Sequence, residues 1–201
     1  MSAHEVVIPV IGSRIHKDHG YALYSAIKQA LNVKDDFWSD VLLRQVNGRE
    51  VSDHMLELTT TSHCVLRTTS YQKARKLQRL AHRSVSLLKE KTRVNITFGR
   101  PTTLIVEPHP DFKFRIITIK SKTGLRGNKA LFRAKIERRL ADAGINYDRL
   151  DIHVWKWILC HNLIGGYEVR IYGVDSESSI RLQSECIFAK TSMGAGFAER
   201  I

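Results

Sequence analysis

A stiff EPHPD segment at residues 107–111 divides this 201-residue sequence, because each proline fixes its own φ and restricts the residue before it. On both sides of it the same succession of hydrophobic patterns can be read. Before it, Val6 to Gly12 (VVIPVIG) is β-branched and ends on glycine, a first strand in which Pro9 suits an edge or a bulge. A helix follows, with Asp18 expected as its N-cap, Leu23, Ile27, Ala30 and Leu31 at helical spacing, and Asn32 in position to close it. Trp38 to Val46 and Ser62 to Thr69 read as two strands separated by Asn47-Gly48 and a polar connection. Tyr71 to Arg83 returns to helix, and Val94 to Phe98 supplies a further strand before Gly99 and Pro101.

Beyond the prolines, Phe112 to Lys120 (FKFRIITIK) is a strand and Asn128 to Ala143 a helix with Phe132, Ile136, Leu140 and Ala143 inward. His153 to Cys160 and Tyr167 to Val174 read as a hairpin turning about Gly165-Gly166. Asp175, Ser176 and Glu177 open a last helix running to about Ile187, and Gly196 to Ile201 returns as a final strand. The expected class is α+β, with tandem ferredoxin-like (RRM-like) β-α-β-β-α-β domains over residues 1–107 and 111–201. The two halves are not visibly repeated in sequence, so this expectation rests on element order.

Charge is concentrated. Arg67 to Arg100 holds ten Lys or Arg against one acid, Glu90, and Lys113 to Arg139 again ten against one, Glu137. These stretches carry +18 while the remainder nets −6, so the overall +12 is a local feature. A polyanion is the natural partner, since neutralising phosphates releases condensed counterions. Neither stretch has the broad apolar face of an interfacial helix, so no membrane partner is expected. A hydrophobic fraction of 43% argues against disorder. Met1 to Gly12 lacks the charged start and cleavage site of a secretory signal, which predicts a cytoplasmic protein. Cys64, Cys160 and Cys186 form no CxxC pair, so neither a disulfide framework nor a zinc site is expected.

Three places can carry chemistry. His16 and His19 flank the start of the first helix, where backbone N–H groups and the positive end of the dipole receive phosphate. An imidazole there can exchange a proton beside a phosphodiester, although His19, one turn before Leu23, also suits a staple to the core. In the second half, Lys129, Arg133, Lys135, Arg138 and Arg139 spread around a helix, which suits phosphate contact better than base reading. The preceding KSKTGLRGNK adds Lys120, Lys122, Arg126 and two glycines that let backbone amides approach an anion. The third place is Lys190-Thr191-Ser192-Met193-Gly194-Ala195-Gly196-Phe197, a glycine-containing turn without the GxxxxGK[ST] pattern of nucleotide triphosphate sites. Asp35-Asp36 are adjacent rather than helically spaced and HExxH is absent, so neither a metal nor another cofactor is expected.

The stretches DHGYALYSAI, ITIKSKTGLRGNKALFRAKIERRL and RLQSECIFAKTSMGAGF together resemble a known family. It is that of the CRISPR-associated repeat-processing endoribonucleases of the RAMP superfamily, in particular the compact Myxococcus-type subgroup. The resemblance implies metal-independent cleavage of precursor RNA on the 3′ side of a repeat hairpin, giving 2′,3′-cyclic phosphate and 5′-hydroxyl ends. The partners it implies are CRISPR repeat hairpin RNA (the mature crRNA if the product is kept) and other effector-complex subunits. By the same resemblance His19 is the catalytic general acid or base, with His16 as substitute, and Lys28 or Tyr24 steadies the charge on the scissile phosphate. RNA binding falls to Lys120, Lys122, Arg126, Lys129, Arg133, Arg138, Arg139, Lys190, Ser192 and Gly194. The rival expectation is a non-catalytic hairpin-RNA-binding subunit of a ribonucleoprotein.

Overall fold

The structure, a computed structural model, describes residues 2–52, 54–89, 92–119, 127–160 and 162–201. The first half runs β1 (His4–Ile11), β2 (Arg14–His16), α1 (Gly20–Leu31), β3 (Leu42–Arg44), β4 (Arg49–Ser52), β5 (Met55–Glu57), β6 (His63–Thr68), α2 (Tyr71–Leu77), β7 (Ser84–Lys89), β8 (Thr92–Phe98) and β9 (Thr102–Ile105). The second half runs β10 (Phe112–Ile117), α3 (Lys129–Asp142), β11 (Arg149–Cys160), β12 (Asn162–Tyr172), α4 (Ser176–Ser184) and β13 (Ala198–Arg200). The first sheet has the order β3-β6-β1-β8-β7, with β9 also on β1, and the second has β11-β12-β10-β13. Each antiparallel sheet thus places its main strands in the order second, third, first, fourth. The α+β class with tandem ferredoxin-like units holds. No helix among the described residues is long and apolar enough to cross a membrane.

Period-two alternation decides which face each strand shows. On β1, Val6, Ile8 and Val10 are buried with Leu23 and Ile27 of α1 and Leu77 of α2. Cys64 of β6 lies in the same core, and burial pushes its thiol up to about 12. Val7 points the other way and meets Leu42, Val65 and Phe197, the last from the second half of the chain. On β10, Phe112 and Phe114 pack with Phe132, Ile136 and Leu140 of α3, while Lys113 and Arg115 take the opposite face. Each fully buried apolar side chain of this size contributes roughly 1.5–3 kcal/mol.

Arg67 locks the two units together. Its side chain is 5% exposed, Nε donates to Glu5 at 2.6 Å, and Nη1 donates across the seam to the Ala198 carbonyl at 2.6 Å. The guanidinium lies 4.3 Å from the centroid of the Phe197 ring, and Arg44 pairs with Glu199 at 3.6 Å.

Several sequence expectations need correction. Trp38 belongs to a 3-10 turn (Asp35–Asp40) that buries it with Phe37, so only Leu42–Arg44 of the expected Trp38–Val46 strand pairs as a strand. The helix expected to reach Arg83 stops at Leu77, followed by a 3-10 turn to Leu80, and His82 takes φ 60°. Gly165 and Gly166 do not form the hairpin turn; they lie inside β12, and Cys160 already pairs with Asn162. Their role is close packing: a Cβ on Gly165 would collide with the Trp155 ring, and one on Gly166 with the Ile117 carbonyl oxygen.

Candidate nucleic-acid interface and active site

Helix α1 begins at Gly20, with His19 rather than Asp18 as the N-cap residue, and no side chain caps it. His19 is buried, with 2% of the residue exposed. Its Nδ1 lies 2.6 Å from the His16 carbonyl oxygen, an acceptor only, so Nδ1 carries the proton and donates. Nε2 then accepts from the Val46 N–H at 2.9 Å. The partners therefore select one neutral tautomer with both nitrogens engaged, and the ring pins the helix start to the chain leaving β3. Three residues earlier His16 is half-buried, and its Nε2 is shielded from solvent with no hydrogen-bond partner.

Tyr24 and Lys28 turn away from this point. The Tyr24 hydroxyl donates to Asp35 Oδ1 at 3.1 Å and Lys28 Nζ to the same oxygen at 2.5 Å. The Lys28 bond holds the Asp35 carboxyl below its usual range and raises the Lys28 ammonium in turn, while burial and then the Asp35 bond raise the Tyr24 phenol. Lys28 is nine residues beyond His19, about 13 Å along a helix axis. His19, Tyr24 and Lys28 are thus not brought together around one point.

What meets the start of α1 instead is the glycine-containing segment near the carboxyl end. Lys190 is left-handed (φ 63°), Thr191–Met193 form a 3-10 turn, and Gly194 (φ 85°) reverses the chain. Lys190 and Ser192 are half-buried, whereas Gly194 is buried. A Cβ on Gly20 would collide with the Met193 carbonyl oxygen and the Gln45 amide, and a Cβ on Gly194 would lie 2.7 Å from Gln45 Cγ. The turn therefore sits directly on the helix start. Beside it opens a cavity of about 250 Å³ whose lining includes Lys17, Arg44, Gln45, Asn47, Arg115 and Gly194. Lys17 is paired with Glu50 and Arg44 with Glu199 at 3.6 Å, and both carboxylates line the cavity with the cations they hold in place.

Helix α3 carries the second basic surface, starting at Asn128, whose side chain accepts from the Leu131 N–H at 2.9 Å. Lys129 is exposed, Arg133 pairs with Glu137 at 3.5 Å, and Arg138 lies 3.9 Å from Asp142. Arg139 donates to the Ile187 carbonyl at 3.1 Å. Lys135, Arg138 and Arg139 line one side of a cavity of about 680 Å³, opposite Glu185, Cys186 and Ile187. Lys120, Lys122 and Arg126 lie outside the described residues. On the open face of the second sheet, Lys113, Lys156 and Arg170 surround Glu168 at 3.6, 2.6 and 3.6 Å. Burial pushes the Glu168 carboxyl up, but the Lys156 bond and the three cations outweigh it and hold it below its usual range. Arg44, Gln45 and Arg115 were missed in the sequence reading; for Arg115 the alternation of FKFRII was the available signal.

No curated protein sequence matches the chain. Solved structures share its fold. A RAMP protein binding different RNA substrates has a TM-score of 0.65 at 16% identity, with 100% of both chains covered. A CRISPR associated protein Cas6 has a TM-score of 0.63 at 14% identity, covering 100% of this chain and 99% of that one. Cse3 of Thermus thermophilus, bound to an RNA representing a pre-cleavage complex, has a TM-score of 0.56 at 12% identity, covering 99% and 98%. At such identities these likenesses bear on fold alone. Membership comes from the sequence itself: the model of the family described as Cas6 Crispr matches residues 5–198, and the chain belongs to that family, the CRISPR repeat-processing group it resembles.

Proposed function

We propose that this protein is a metal-independent endoribonuclease of the compact Myxococcus-type subgroup. It cuts CRISPR precursor RNA within its repeats, on the 3′ side of a hairpin, and leaves 2′,3′-cyclic phosphate and 5′-hydroxyl ends. The observation that carries the reading is a cavity between the two sheets, beside the uncapped start of α1, whose lining holds Lys17, Arg44 and Arg115 as well as Glu50 and Glu199. A helix start of this kind favours an anion, and Lys17, Arg44 and Arg115 add the charge to hold a phosphodiester. The nucleophile is the substrate's own 2′-hydroxyl, so the protein has only to align it and move protons. Orientation and general acid–base transfer, the latter commonly ~10²–10⁴-fold, supply the rate.

In this reading the units 1–107 and 111–201 together hold the RNA, and Lys129, Arg133, Arg138 and Arg139, with Lys120, Lys122 and Arg126, grip the hairpin. Lys190, Ser192 and Gly194 shape the seam. His19 is the first candidate for the proton transfer and His16 its substitute; the two engaged nitrogens of His19 support a positioning role for it, and the unpartnered Nε2 of His16 supports that ring as the proton carrier. Repeat RNA incubated with chelator tests the scheme: the unmutated protein should cut, His16→Ala should lose on the order of 10²–10⁴ in rate, and His19→Ala should lose stability as well as rate. Undiminished cutting by His16→Ala returns the role to His19 or another group. The engaged state of His19 also favours a second reading, a non-catalytic hairpin-binding subunit, and salt-sensitive binding without any cutting by the unmutated protein would establish it.

A further inference from the structure

The Gln45 carboxamide lies at the seam, and the reading above gives it no task. Its residue is 9% exposed, and its Nε2 is fully shielded with no hydrogen-bond partner. Such an amide costs ~1–3 kcal/mol when left unsatisfied. Two glycines make the room for it. A Cβ on Gly20 would collide with the Gln45 amide, and one on Gly194 would stand 2.9 Å from Nε2. Gly20 opens α1 and Gly194 belongs to the turn from the other unit, so two distant parts of the chain omit a side chain around one amide. The next residue, Val46, is fixed to His19 by the 2.9 Å bond, so the backbone that carries Gln45 is anchored. Gln45 also lines the cavity of about 250 Å³, beside Lys17, Arg44 and Arg115.

We infer that Gln45 is a base-reading residue, which takes one nucleobase of the RNA next to the phosphate held at the start of α1. This rests on the proposed RNA-cutting role of the same site. The volume is below the ~300–1,000 Å³ of pockets for drug-sized ligands, which suits a single base and excludes a base pair. A carboxamide offers one acceptor and two donors side by side, the complement of an edge that presents a donor next to an acceptor. Adenine, through N6 and N7, is the standard match. The terminal amide torsion of glutamine is broad and roughly two-fold, so rotation about it brings the shielded donor round to an entering base. The surrounding cations hold the backbone of the same nucleotide, and RNA is read by sequence mainly where it is single-stranded.

The test is a panel of repeat RNAs carrying each of the four bases at every position flanking the cut, measured by binding and by cutting. The unmutated protein should favour adenine at one position by about 5- to 150-fold, and 7-deazaadenine there should lose that advantage without any change to the protein. Gln45→Leu, matched in thermal melting to the unmutated protein, should bind all four bases alike at that position and keep its preferences elsewhere. Gln45→Glu removes both donors and should move the preference toward cytosine, whose N4 amino group donates. An unmutated protein with no preference at any flanking position overturns the assignment, as does a Gln45→Leu profile identical to the unmutated one. Because binding is read separately, a protein that shows the preference but never cuts defeats the endoribonuclease reading and leaves Gln45 standing.

Discussion

The seam between the units and helix α3 are both rich in guanidinium groups, and they hold them in opposite ways. At the seam Arg67 has a side-chain exposure of 5% and spends its donors on Glu5 and the Ala198 carbonyl. On α3 the side chain of Arg138 is 84% exposed and reaches Asp142 only at 3.9 Å. A buried guanidinium with fixed partners sets geometry, because moving it strands charges away from water. An exposed one sets affinity, because its counterions are free to leave when a phosphate arrives. Two regions of the same charge are thus suited to different work, and in the proposed scheme the first places the cut while the second holds the RNA.

The sharpest way to break this contrast is Arg67→Ala. It leaves Glu5 without its partner and removes the cation over Phe197, and removing one partner of a buried pair commonly costs ~3–5 kcal/mol. Denaturant unfolding should show that loss together with uncoupled transitions of the two units; a single transition with an unmoved midpoint would place Arg67 with the exposed cations. A smaller effect is expected from Lys129→Ala with Arg138→Ala. The stability should hold while the slope of log affinity against log salt falls by about 0.9 for each phosphate that is no longer neutralised, as read by titrating hairpin RNA at several ionic strengths.

The smallest effect concerns Glu168, which lies between the two regimes with a side-chain exposure of 10% and three cations around it. Its carboxyl is held below the ordinary 4.5, so the unfolded chain takes up the proton first as the pH drops. The stabilisation is therefore complete above about pH 4.5 and is lost as the pH falls through the lowered folded value. Glu168→Gln should flatten that acid limb in melting curves and tighten RNA binding, since three cations on the sheet face lose their carboxylate.

What was readable beforehand follows from how far each signal reaches along the chain. Asn32 closing α1 in a left-handed conformation, Asn128 opening α3 and Asp175 capping α4 with its bond to the Ser178 N–H at 2.8 Å are all local events, decided by a residue and its near neighbours. β4, β5, β7 and β9 escaped because short, edge or half-exposed strands need few apolar residues, and their pairing is decided by partners elsewhere. The DHGYALY motif pointed to the right helix start but to Asp18 as its cap, because the motif cannot reveal that Val46, 27 residues on, would claim the His19 ring. Gln45 gave no signal at all. Its meaning comes from Gly20 and Gly194, which only the folded chain brings to it.

Cys64 offers a practical consequence. With its thiol pushed to about 12 inside the first sheet, almost none of it is thiolate near neutrality, and an alkylating reagent must wait for the sheet to come apart. The rate of labelling there is thus a clock for opening of that unit, and slowing of the clock as RNA is added would weigh how much of the binding free energy goes into stiffening the protein rather than into the interface itself.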